Sequence, residues 1–146
     1  MSVRHRLIHA TPEAVFDVLA DGWLFASWVV GSARIRDVSD AWPAPGSEIH
    51  HSFGSWPVVI DDTTSSVEWD APRHAKFVAR GWPIGEAVVI IDVKRHNDGC
   101  VVRMEEFASK GPGLVVPKPL MAIALNIRNT EALQRLAWLA EGRAGR

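Results

Sequence analysis

The chain has one cysteine and no tyrosine among its 146 residues. A lone Cys100 excludes an intrachain disulfide and a cysteine-rich zinc site. The missing phenols remove one common acid–base side chain. There is no basic block either: 16 Lys and Arg stand against 17 Asp and Glu, a net charge of −1, which argues against nucleic acid as a partner. No apolar run reaches the ~20 residues that span a bilayer, and Arg4, His5 and Arg6 lead into no apolar stretch of the signal-peptide kind. The expectation is a cytoplasmic protein without an integral membrane segment. Tryptophan, by contrast, is plentiful: there are seven, within a 47% hydrophobic composition that suits one domain, 1–146, with a sizeable core.

Local patterns set out the order of elements. Val3 to Ile8 alternates as a strand does. Thr11-Pro12-Glu13 then supplies an N-cap, a first-turn proline and a dipole-matched carboxylate for a short helix ending at Asp21-Gly22. Trp23 to Val29 predicts a second short helix closed by Gly31, and Ala33 to Val38 resumes as a strand. Breakers at Gly46, Gly54, Pro72, Pro83 and Gly99 then divide the chain into strands Glu48 to Phe53, Val58 to Trp69, His74 to Trp82, Glu86 to Arg95 and Val101 to Phe107. Asn97-Asp98-Gly99 is a strong hairpin turn. After Gly111-Pro112-Gly113, Pro119 to Gly142 reads as one long amphipathic helix. The class is α+β: about seven antiparallel strands, two short helices after the first, and one long helix to cover the sheet.

At ~100° per residue, Ala122, Asn126, Asn129, Leu133, Leu136, Ala137 and Ala140 share one arc of that helix, while Arg128, Glu131, Arg135 and Trp138 share the opposite one. Asn126 and Asn129 therefore face the interior. An unpaired buried amide costs about 1–3 kcal/mol, so backbone, water or a ligand must satisfy each.

Several kinds of chemistry have no sequence support. His50 and His51 are adjacent on a strand and point to opposite faces, so they cannot share one metal ion. Cys100 has no recognisable histidine partner, and no Gly-x-Ser-x-Gly elbow occurs. Gly111-Pro112-Gly113 precedes no phosphate-binding Lys-Ser/Thr. Neither a metal nor a cofactor is expected.

The opening Ala10-Thr11-Pro12-Glu13-Ala14-Val15-Phe16-Asp17-Val18-Leu19, Trp28 at the close of the helix pair, Pro45-Gly46 before a strand, Glu105-Glu106 and Arg128-Asn129 together resemble the START-like superfamily. This group is also called the polyketide cyclase/dehydrase and lipid-transport (SRPBCC) group. The resemblance covers the whole chain. It implies a helix-grip fold, in which a curved sheet wraps around the C-terminal helix and leaves a cavity between them. It does not choose among carriers, sensors, cyclases and chaperone activators.

Strand alternation suggests what lines such a cavity. The more apolar faces carry Ile49, His51 and Phe53; Ala75, Phe77 and Ala79; Val89, Ile91 and Val93; and Val102, Met104 and Glu106. On the long strand, the Val59, Asp61, Thr63, Ser65, Val67, Trp69 face is taken as inner, for its apolar Val67 and Trp69. The candidate ligand-binding residues are Trp28, His51, Phe53, Asp61, Trp69, Phe77, Val89, Met104, Glu106, Asn126, Asn129 and Leu133; no residue is assigned a catalytic role. Each also has a structural explanation. The amides can bond backbone or water, His51 can be a satisfied core histidine, Glu106 can point to solvent, and the tryptophans can simply fill the core. The expected partner is a hydrophobic small molecule, lipid or aromatic and polyketide-like, with a homodimer left open. Alternatives are a cofactor-independent cyclase/dehydrase that uses His51 with Asp61 or Glu106, and a stress-related protein-interaction module.

Overall fold

The alternating segments become a curved antiparallel sheet of seven strands gripping one long helix. The computed structural model describes residues 2–30, 32–55, 58–81, 85–111, 115 and 117–144, with backbone alone at 32, 33, 53–55, 58–60, 81, 118 and 144. In chain order the elements are β1 (Ser2–Ile8), α1 (Pro12–Ala20), a 3-10 turn (Gly22–Leu24), α2 (Phe25–Trp28), β2 (Ser32–Val38), β3 (Glu48–Ser55), β4 (Val58–Asp70), β5 (His74–Gly81), β6 (Gly85–His96), β7 (Gly99–Lys110) and α3 (Lys118–Ala144). The expected second helix is realised as the 3-10 turn followed by the single turn of α2. The expected breakers Gly31 and Pro83, the strand end Trp82, and Pro112-Gly113 lie outside the described residues.

Consecutive strands from β2 to β7 are hairpin neighbours, and β1 closes the order beside β7. The helical segment between β1 and β2 carries the chain from one edge of the sheet to the other. Thr11 caps α1 by accepting the Ala14 N–H at 3.2 Å, with Pro12 in the first turn. Between β6 and β7, Asn97 takes a positive φ of 51°, which asparagine tolerates better than most side chains. At Gly99, which pairs His96, a Cβ would collide with the Ile8 carbonyl, so β1 can reach β7 only over a glycine.

Val15, Phe16, Val18 and Leu19 of α1 form one continuous core with Ile91, Val102, Leu133, Leu136, Ala137 and Ala140. Each large side chain enclosed in this way contributes on the order of 1.5–3 kcal/mol. The C-terminal half of α3 supplies most of the helix's share. Among the tryptophans, Trp42 stacks on Phe77 at 5.5 Å and donates from Nε1 to the Leu19 carbonyl.

The expected inner face of β4 needs correction. Register pairs His51 with Asp62 and Ile49 with Thr64, so Asp62, Thr64 and Ser66 share the inner side. A bulge between Ser66 and Glu68 then inserts Val67 as an extra residue, and Trp69 pairs Ala75 on the inner side again. One extra residue reverses the phase of a period-two pattern. Neither alternating set is therefore inner along the whole strand: Trp69 belongs inside, whereas Asp61 and Val67 are exposed.

Candidate functional site: a pocket under the long helix

A pocket of about 50 Å³ lies between α3 and the sheet. The α2 segment contributes Phe25, Trp28, Val29 and Val30. The sheet contributes His51 from β3, Asp62 and Thr64 from β4, Phe77 and Ala79 from β5, Val89 from β6, and Met104 and Glu106 from β7; Arg128, Asn129 and Ala132 descend from α3. Most of these walls are apolar, and the polar groups fall into two clusters.

The first cluster centres on His51, whose side chain is 2% exposed. Its Nε2 lies 2.9 Å from Thr64 Oγ1 and 3.9 Å from Asp62 Oδ2, and its ring packs against Phe25 at 4.9 Å. Burial lowers the imidazole pKa to about 4, helped by the nearby positive charges of Arg36 and Arg128. The ring is neutral at pH 7. Burial raises the Asp62 carboxyl to about 6, against the opposing effect of the Thr63 N–H that it accepts at 2.7 Å. A neutral imidazole thus stands beside a carboxyl that titrates close to neutrality.

The second cluster joins α3 to the last strand. Arg128 Nη1 donates to Glu106 Oε2 at 3.3 Å, and its Nε donates to the Val30 carbonyl at 3.1 Å. The Glu106 side chain is 5% exposed, so the guanidinium supplies the charge compensation that a buried carboxylate requires. Arg128 was expected on the outward arc. In the structure its long side chain reaches Glu106 on the sheet and the Val30 carbonyl, as the flexible stems of arginines allow.

The sequence candidates divide accordingly. Trp28, His51, Phe77, Val89, Met104, Glu106 and Asn129 meet around the pocket. Leu133 lies in the closed core, and Trp69 packs edge-on to Phe16 at 5.1 Å, so neither borders the pocket. Asp61 is turned to the outer face, where it accepts from Ser52 Oγ and pairs with Arg36. Phe53 is on β3, but its side chain lies outside the described residues. Asn126 misses the pocket: its Oδ1 accepts the Ser2 hydroxyl at 2.6 Å, while Asn129 Nδ2 donates to Ser2 Oγ at 3.5 Å. The two amides, Asn129 buried and Asn126 only half-buried, are thus answered in part by Ser2. Asp62, Thr64 and Arg128 were missed. The alternate face of β4 already contained the first two, and Arg128 stood within the Arg128-Asn129 pair.

The described residues contain no group of three or more His, Cys, Asp or Glu placed to hold a metal ion. Comparison with curated protein sequences gives no match. Among solved structures, protein CV1439 from Chromobacterium violaceum aligns with a TM-score of 0.74 at 16% identity, covering 95% of this chain and 96% of that one. The di-domain ARO/CYC protein StfQ, from the steffimycin biosynthetic pathway, aligns at 0.75 and 11% identity over 99% of this chain and 51% of its own, so this chain spans about half its length. DynU16, from the dynemicin biosynthetic locus, aligns at 0.69 and 14% identity over 96% of this chain and 46% of that one. At these identities the likeness establishes fold. The sequence itself matches the family described as polyketide cyclase / dehydrase and lipid transport over residues 2–141, and the chain belongs to that family.

Proposed function

We propose that this protein binds a mainly apolar small molecule, a lipid or an aromatic polyketide-like metabolite, between α3 and the sheet. The observation that carries the reading is the pocket's make-up: apolar walls from Trp28, Phe77, Val89 and Met104, with Arg128 and the His51–Thr64 pair placed to fix an oxygen. Pockets for such ligands commonly measure about 300–1,000 Å³. The ~50 Å³ observed is room for a few waters. Binding of a ligand of that size therefore requires the pocket to widen, and the Arg128–Val30 hydrogen bond at 3.1 Å is one of the contacts that join α3 to the segment after α2.

A second reading, cofactor-independent acid–base catalysis in the same pocket, is favoured by one observation. Asp62 titrates near 6 and faces a neutral His51, an arrangement suited to passing a proton to and from a substrate oxygen. Both readings are tested by screening fatty acids, sterols and aromatic polyketides for a rise in melting temperature, then for conversion. Stabilisation without conversion, lost in a pocket-filling Ala79→Leu variant, supports the carrier. Conversion that falls at least about a hundredfold in Asp62→Asn supports the enzyme. If no compound in the panel stabilises the protein, the binding reading fails.

A further inference from the structure

The N-terminal part of α3 differs from the rest of the helix. Residues 119–127, Pro-Leu-Met-Ala-Ile-Ala-Leu-Asn-Ile, contain no charge, yet Leu120, Ile123 and Ile127 are 59%, 58% and 71% exposed. Their spacing of three and four puts them on one side of the helix. No described residue covers them. A helix that is apolar nearly all round is ordinarily buried, so this stretch has the composition of an interface and the position of a surface.

The stripe has an exposed cation beside it in Arg4, whereas Arg128 is already paired with Glu106 at 3.3 Å. Residues 107–130 contain Lys110, Lys118 and Arg128 but no acid, and residues 2–12 contain Arg4 and Arg6 but no acid. Arg4, exposed on edge strand β1, shares an open groove with Ile123, Asn126, Ile127 and Thr130. Lys110 is partly compensated by Glu86 at 3.4 Å, and the first acid further along α3, Glu131, is held by Arg135 at 3.1 Å. A second copy docking here about a twofold axis would set Arg4 and its neighbours against themselves, with no acid within the stripe to answer them. An anionic lipid surface complements both features, because it takes the isoleucines at its apolar boundary and the arginine at its headgroups.

We propose that the Leu120–Ile123–Ile127 face of α3, with Arg4 beside it, is a peripheral docking surface for anionic membranes. The helix lies on the bilayer: among the described residues none is long and apolar enough to cross it. The stripe ends at Ile127, next to Arg128 on the pocket wall. Docking through this face does not require the pocket to take a ligand.

The test is co-sedimentation of the full chain with phosphatidylcholine vesicles, with and without phosphatidylglycerol. Sedimentation velocity without lipid serves as the control. The expected result is capture on the anionic vesicles that weakens with salt. Ile123→Ser with Ile127→Ser should reduce it about tenfold or more, and Arg4→Glu about fivefold with a shallower salt dependence. Both variants should keep the wild-type melting temperature, because the altered side chains are exposed. Absence of capture, capture that the double variant leaves intact, or a lipid-free dimer that the double variant dissolves would each overturn the proposal.

Discussion

Arg128 Nη1 lies 3.3 Å from Glu106 Oε2, so the long helix is tied to the last strand by an ion pair at the pocket wall. The same guanidinium holds the Val30 carbonyl. Helix, strand and the segment after α2 thus converge on one side chain, and the consequences of altering it can be measured.

Arg128→Met leaves the Glu106 carboxylate buried without this cation. Fully buried pairs broken in this way cost about 3–5 kcal/mol. Because the Arg128 side chain is 31% exposed and partly screened, about 2–3 kcal/mol is expected. Adding Glu106→Gln should recover more than half of the loss in urea denaturation. If the double variant is as unstable as the single, the ion pair is not the reason.

Leu133 is enclosed by the core, whereas the Arg135 side chain lies at the surface and bonds Glu131 at 3.1 Å. Leu133→Asp buries an unpaired charge and should destabilise by at least ~3 kcal/mol or prevent folding. Arg135→Asp loses one exposed i,i+4 pair and should cost about 1 kcal/mol or less. Thermal melts that show equal losses would contradict the orientation of α3.

His51 and Asp62 should pull stability in opposite directions as pH changes. The folded pKa of His51 is lowered from 6.5 to about 4, so folding releases its proton, and acidification from pH 6.5 to 4 destabilises the fold through this group. The folded pKa of Asp62 is raised from 3.8 to about 6, so folding takes up a proton, and the same acidification stabilises through it. Relative to wild type, Asp62→Asn should therefore lose stability as pH falls from about 6 to 4, and His51→Gln should gain it. Unfolding free energies measured across that range decide; parallel pH profiles for both variants would refute the assignment.

On the outer face of the sheet, His74 Nδ1 lies 2.6 Å from Asp92 and Nε2 lies 2.6 Å from Glu68. Asp92 first and Glu68 second raise its pKa above the ordinary 6.5. A raised histidine pKa contributes stability that is complete below 6.5 and is lost as pH climbs through the folded value. The stability difference between wild type and His74→Gln should accordingly be greatest below pH 6.5 and shrink above it, as followed by chemical denaturation. A difference that does not vary with pH would show that folding leaves the His74 pKa unshifted.

The strand and helix order was determined by the sequence alone, because alternation, breakers and caps act over a few residues: Thr11-Pro12 starts α1, and Asn97-Asp98-Gly99 turns β6 into β7. The buried stripe of α3 through Asn129, Leu133, Leu136, Ala137 and Ala140 followed from the 3.6-residue period, and the inner faces of β5, β6 and β7 from apolar alternation. Three features required the tertiary structure. The bulge at Val67 switches which residues of β4 face inward, and only pairing with β5 reveals it. Arg128 belongs to the pocket because a long flexible side chain can depart from the arc where its Cα sits. Ser2 answers Asn126 because the edge strand and the long helix, more than a hundred residues apart, meet only when the sheet closes on the helix. Local periodicity fixes where a backbone element points; where a polar side chain finds its partner depends on what the fold brings beside it.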